Sequence, residues 1–200
     1  MMPEALFFSH EAMNTTFTVR LRGMDRKEAE GMVCHCFQEL ERMEAHLSRF
    51  IDGSDVSRIN RLAAGETVYV SETCHQCLLQ ALDAYRRTGG LFDITLGARI
   101  EHRKSGNGGP SPELVGRLII HPDVAAVSCE VPGRQIDLGG IGKGYALDRM
   151  KEILIEWGAC DFLLAAGASS LLAHGPTVWP VELPAENDST MLPLHNTSLS

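Results

Sequence analysis

The chain has 200 residues, 44% of them hydrophobic, and a formal net charge of −8. This is enough apolar material to bury a core as a single domain over 1–200. The acidic balance argues against a nucleic-acid partner, which wants a basic face, and no window approaches the length of a membrane span. The opening stretch Met1-Met2-Pro3-Glu4-Ala5-Leu6-Phe7-Phe8 has no basic n-region and no long apolar run. A signal peptide is therefore not expected, and the sequence as it stands reads as cytoplasmic.

Alternation of Phe17, Val19 and Leu21 predicts a strand near 15–22. Asp25 with Glu28 reads as a capping box opening a helix over 26–47, with Val33, Cys36 or Phe37, Leu40, Met43 or Glu44, and Leu47 on its apolar stripe. A short helix over 55–61 and a strand over 67–70 follow. Ser71 is placed to cap a helix over 72–87 that carries Cys74, Cys77 or Leu78, Ala81, Leu82 and Tyr85 inward and ends at Gly89. Residues 101–112, rich in Gly, Ser and Pro from Arg103 onward, read as a flexible loop. Pro112 to Leu118 looks helical, and Val131 to Leu138, opened by a Pro-Gly turn, suits a strand. Ala146, Leu147, Met150, Ile153, Leu154 and Trp157 recur at helical steps over 143–157. Strands are expected near 161–166 and 170–173 and over Val178 to Leu183. A polar turn around Glu186 to Thr190 comes next, and Leu192 to Ser200 is read as opening a strand with no partner after it. Strands alternating with helices give a mixed α+β domain.

Six cysteines include two half-sites for a metal, Cys34-His35-Cys36 and Cys74-His75-Gln76-Cys77. Both fall within predicted helices, where cysteine packs as a small buried hydrophobe, whereas structural zinc draws its ligands mostly from turns. Free thiols in this number favour a reducing compartment.

Asp137 to Asp148 reads D-L-G-G-I-G-K-G-Y-A-L-D, with Gly139, Gly140, Gly142 and Gly144 crowded around Lys143 at a helix start. A glycine-rich turn in that place lets backbone N–H groups approach an anion, with the helix dipole favouring negative charge. Lys143 adds a mobile point charge, so the expected ligand is a phosphate or pyrophosphate. A P-loop is excluded because Gly142-Lys143 is followed by Gly144, and G-x-G-x-G is not the G-x-G-x-x-G of a dinucleotide fold. The alternative is a tight turn that merely needs small residues.

The same stretch resembles the signature of the ApbE-type flavin transferases (FAD:protein FMN transferase), and other segments match in order. Met13-Asn14-Thr15 resembles that family's Met-Gly-Thr. Leu47-Ser48-Arg49-Phe50 followed by Ser54-Asp55-Val56-Ser57-Arg58-Ile59-Asn60 resembles its L-S-x-Y/F … S-E-I-S-x-L-N. Gly89-Gly90-Leu91-Phe92-Asp93-Ile94-Thr95-Leu96-Gly97 resembles its G-x-F-D-I-T-V-G. The resemblance implies an α+β, T-fold-related domain with a flavin-nucleotide cleft. It implies Mg²⁺-dependent transfer of the FMN half of FAD to a threonine hydroxyl of a target protein, releasing AMP. By the same resemblance, Met13, Phe50, Leu91, Phe92 and Asp93 line the flavin nucleotide. Asp137 accepts hydrogen bonds from it, Lys143 makes a polar contact, and the Gly140 carbonyl is one metal ligand. From the residues alone, Met13 and Phe50 also suit a core, and Asp93 and Asp137 also suit turn-ordering.

Three departures stand beside the match. Family members are longer, and nothing here matches their H-x-x-D-P-x-T-G segment or the later Asp/Thr pair that holds magnesium. Gly167-Ala168-Ser169 stands where the family often has Gly-Gly-Glu/Asp. Many members are exported and anchored by lipid, whereas no leader is visible here. The chain is thus expected to be C-terminally incomplete relative to the family. The alternatives to the enzyme are a non-catalytic FAD-binding module, a truncated fragment of such an enzyme, or an interaction protein that retains only the fold.

Overall fold

The computed structural model describes residues 5–106, 108–184 and 189–200. The chain opens with strands β1 (Leu6–Ala12) and β2 (Thr15–Leu21) and the long helix α1 (Arg26–Leu47). The middle carries α2 (Asp55–Ile59), β3 (Thr67–Tyr69), α3 (Glu72–Arg87), α4 (Gly97–Lys104), β4 (Arg117–Ile120) and β5 (Ala126–Val131). It closes with α5 (Gly142–Glu156), β6 (Phe162–Ala166), β7 (Ser170–His174), β8 (Trp179–Pro184), β9 (Ser189–Leu194) and β10 (Ser198–Leu199). These elements fall into two compact units, Met1–Arg42 with Lys143–Ser200, and Met43–Gly142.

The first unit is built on an antiparallel sheet of order β1-β2-β6-β7-β10. Phe17, Val19 and Leu21 alternate onto one face because successive strand side chains point to opposite sides. They stand in register with Ala166, Leu164 and Phe162, and all six are buried. The same unit buries Met32, Cys36 and Leu40 of α1 and Ala146, Met150 and Leu154 of α5. Asp25 starts α1 by accepting the backbone N–H of Lys27 at 2.8 Å and of Glu28 at 3.1 Å, a cap worth about 1 kcal/mol.

β1 was not anticipated, since its alternation runs through Ser9, His10 and Glu11 and only Ala12 is buried. It joins β2 through Met13 and Asn14, both left-handed at φ 51° and 56°, as in the two-residue turns that match strand twist. The stretch Leu192 to Ser200, read as opening a strand, holds the end of β9 and all of β10. β9 pairs with β8 and β10 with β7, so the partners precede it in sequence. Trp179, Val181 and Leu194 of that region pack with Leu163, Leu171 and Ala173. The polar turn expected around Glu186 to Thr190 lies partly outside the described residues, as does the opening Met1 to Glu4.

The second unit holds the three-stranded antiparallel sheet β3-β5-β4. Ser71 Oγ accepts the Cys74 N–H at 3.2 Å to begin α3, which buries Cys74, His75, Cys77, Leu78 and Ala81. Three expectations need correction. Glu101 to Lys104 are the last turn of α4 rather than loop, and Asn107 of that stretch lies outside the described residues. Pro112 to Leu118 is not helical: Gly116 takes φ +99° and β4 starts at Arg117. The strand placed at Val131 to Leu138 is β5, which lies upstream. Pro132-Gly133 ends it rather than opening one, as proline cannot donate to the ladder and Gly133 has φ +123°. Between that turn and α5, Gln135 forms a parallel bridge with Leu96. Among the described residues no helix is long and apolar enough to cross a membrane.

Candidate functional site

In the second unit the glycine turn is held by an arginine that sequence reasoning did not single out. The Arg49 side chain is 11% exposed. Its Nη1 donates to the Gly97 carbonyl at 3.0 Å and to Asp137 Oδ2 at 3.3 Å. Its Nη2 donates to Glu101 and to Gln135 Oε1. A guanidinium suits this work because five N–H groups project from it in a fixed plane. Asp137 Oδ1 then accepts the Gly139 N–H at 2.8 Å, the two-residue loop-back of an Asx turn. Gly97 is required where it stands, since a Cβ there would lie 2.7 Å from the Gln135 carbonyl oxygen.

Phe92 packs beside Gly140, where an added Cβ would come within 3.2 Å of its ring. Asp93 Oδ1 accepts from the backbone N–H and the hydroxyl of Thr95, at 2.8 and 2.7 Å. Arg134 Nη1 donates to that same hydroxyl at 3.0 Å and stands 3.9 Å from Asp93 Oδ2. Phe50 is 78% exposed and Leu91 90% exposed, so neither belongs to the core. The Arg49 guanidinium sits 5.4 Å from the Phe50 ring centroid, within cation–π range. Both aspartates make the turn-ordering contacts that were one of their two readings, and each adds an ion pair, Asp93 with Arg134 and Asp137 with Arg49.

In the first unit Lys143 Nζ donates to Ser169 Oγ at 2.7 Å. Ser169 lies between β6 and β7. There Gly167, at φ +60°, donates its N–H to the Thr16 carbonyl at 2.9 Å. Met13 stands half-buried on the β1–β2 turn, next to Thr15 and Thr16 in sequence. The two glycines flanking Lys143 differ from those already described. Neither Gly142 nor Gly144 has a left-handed φ, and no atom lies within 4 Å of where either would carry a Cβ.

Arg49 lay inside a motif but gave no signal of its own. Its acceptors come from Gly97, Glu101, Gln135 and Asp137, all distant in sequence from it. Cys34 is exposed while Cys36, Cys74 and Cys77 are buried, and burial pushes the Cys36 and Cys77 thiols up to about 12 and Cys74 upward also. Among the described residues no group of three or more His, Cys, Asp or Glu side chains is placed to hold a metal ion.

The ApbE family model matches residues 13–200. The chain belongs to the ApbE family. It is 22% identical over 187 residues to the FAD:protein FMN transferase of Salmonella typhimurium, covering 84% of this chain and 52% of that protein. It is 28% identical over 156 residues to that of Treponema pallidum, covering 70% and 43%. The chain thus spans about half the length of these curated relatives. Among solved structures, the apo flavinyl transferase ApbE of Pseudomonas stutzeri superposes with a TM-score of 0.80 at 22% identity. That match covers 98% of this chain and 68% of the other. The flavin transferase ApbE of Vibrio cholerae gives 0.81 at 19% identity, covering 98% and 70%. The α+β, ApbE-like fold expected from sequence is borne out by these likenesses.

Proposed function

We propose that this ApbE-family chain serves an FAD:protein FMN transferase, moving the FMN half of FAD onto a threonine hydroxyl of a target protein. The observation that carries the reading is the pair Gly142 and Gly144. Glycine at a helix start costs up to about 1 kcal/mol relative to alanine, and here neither backbone conformation nor internal packing calls for it. A ligand that must approach the backbone closely does call for it, and the family membership names the ligand class.

In this reading the pyrophosphate of FAD lies against the glycine turn, with Lys143 supplying positive charge. Arg49 fixes Asp137 and the turn in shape, so the donors are in place before the ligand arrives. Phe50 and Leu91, exposed and apolar, are available to cover the flavin ring; Phe92, Asp93 and Met13 are nucleotide-binding residues by the family resemblance. In the reaction the threonine Oγ bonds to the FMN phosphorus, the bond to the AMP oxygen breaks, the hydroxyl proton passes to a base, and AMP leaves.

Magnesium dependence is part of the family expectation. The Gly140 carbonyl is one acceptable hard donor, but the described residues hold no cluster of ligands that would complete a six-oxygen site. They do not by themselves fit the ion, and no step here is routed through it. The second reading is a non-catalytic module that binds FAD without transferring anything.

Calorimetric titration with FAD, with and without Mg²⁺, followed by an assay for AMP release, separates the two. Mg²⁺-strengthened binding with AMP formed supports the transferase. Binding indifferent to Mg²⁺ with no AMP supports the module, and absence of FAD binding overturns both.

A further inference from the structure

We propose that the hollow between β1 and α1 in the first unit is a binding site for a small organic cation, an amine or guanidine carried on an apolar or aromatic body. None of its lining residues is among those assigned to flavin, so the inference stands independently of the FAD reading.

The hollow has a volume of about 310 Å³ and is open to solvent on one side. That volume lies at the lower end of the range for small-molecule sites. Two periodicities build it. Phe8 and His10 share one face of β1, and Glu30, Val33, Phe37 and Glu41 recur at three- and four-residue steps along α1. Val33 is buried and the three rings are half-buried. The His10 ring stacks on Phe37, with centroids 4.9 Å apart and planes inclined by 18°. Both walls are therefore aromatic. The charge at the opening is negative. Glu30 and Glu41 are exposed, and among the described residues no lysine or arginine joins them in lining the hollow. His10 offsets at most one of the two carboxylates; its Nε2 lies 3.1 Å from Glu41 Oε1. The chain already holds a cation on part of this surface. Arg26 Nε donates to Glu30 Oε1 at 2.9 Å, and its guanidinium stands 5.7 Å from the Phe8 ring centroid. A carboxylate and an aromatic face thus act together on one positive group. The side chains of that pair are 66% and 55% exposed, where an ion pair contributes little. A ligand can displace Arg26 at small cost, or leave it and take Glu41. Its apolar body gains by leaving water between the two phenylalanines, while an anion of the same shape meets two carboxylates.

The test titrates phenethylamine into the chain by calorimetry, beside its neutral and anionic counterparts phenethyl alcohol and phenylacetate. The amine should bind roughly tenfold more tightly than the alcohol, as for one charge-assisted contact, and phenylacetate should not bind. Glu41→Gln should remove most of the preference for amine over alcohol. Cys34→Trp, which sets an indole into the hollow, should abolish binding of both. Cys34 and Glu41 are exposed, so both variants are expected to fold, and thermal melts check this. A second readout needs no variant. Cys34 lines the hollow and Cys160 is exposed outside it. Phenethylamine should slow alkylation of Cys34 by iodoacetamide and leave Cys160 unchanged, as read by mass spectrometry. Equal affinity for amine and alcohol overturns the proposal, as does absence of binding. Binding that survives Cys34→Trp, or that leaves the rate at Cys34 unchanged, places the amine elsewhere and also overturns it. A dimer in sedimentation that Cys34→Trp dissociates gives the hollow to a second copy of the chain instead.

Discussion

Two pairs of glycines answer to different demands. Gly116 and Gly133 serve the fold of the second unit. Both are left-handed, and a Cβ would meet the Arg134 nitrogen at 2.7 Å from Gly116 and the Val115 side chain at 2.8 Å from Gly133. Gly142 and Gly144 meet no such requirement. Between them, Gly139 and Gly140 are partly explained by Asp137 and the Phe92 ring, at 2.9 and 3.2 Å. A glycine-rich motif is thus a mixture, and φ with the space around a would-be Cβ sorts the residues the chain needs from those a ligand needs.

The largest effect is expected where the chain's own need is greatest. Gly116→Ala combines left-handed strain with a backbone clash and should cost about 3 kcal/mol or more of stability, read by urea denaturation. A Tm within a degree of wild type would dissolve the contrast. Next, Lys143→Ala should weaken FAD by about 1–3 kcal/mol, as for a lost charged hydrogen bond, with the melting temperature unmoved. Unchanged affinity would remove the lysine from the site. Gly144→Ala should raise stability by up to about 1 kcal/mol through helix propensity while lowering FAD affinity. If it stabilises and leaves affinity intact, the ligand explanation of this glycine fails.

At neutral pH the smallest effect concerns helices in which the small residues serve packing alone. With a disulfide reagent at pH 8, exposed Cys34 and Cys160 should react at once, and Cys36 and Cys77 only on unfolding. Burial raises those two thiols to about 12. Between the ordinary thiol range and that value the unfolded state has lost protons that the folded state keeps. Stability should therefore fall as pH rises through this window, by about 1.4 kcal/mol per unit and thiol at most. A flat alkaline profile would contradict the burial.

Much of the fold was legible because it is locally encoded. Asp25 and Ser71 announced α1 and α3 through their caps, and the spacing of Phe17, Val19 and Leu21 announced β2. β1 was hidden because its alternation is polar, and the strand before the glycine turn was misplaced because Pro132-Gly133 reads equally as opener or terminator. The motif residues of the site were legible by resemblance, and their placement in the structure adds partners without testing their roles. Arg49 was not legible, since four acceptors gathered from remote segments leave no local pattern. Ser169 showed only as the absence of an acid.

The division of the chain also sets an order of assembly. The second unit is one uninterrupted stretch, Met43–Gly142, so everything it needs leaves the ribosome together. The β1–β2 hairpin can close on itself within microseconds, but β2 finds its other neighbour only when β6 has been synthesised. Until then Phe17, Val19 and Leu21 present an unpaired apolar strand edge, the kind of surface on which nascent chains aggregate or recruit chaperones.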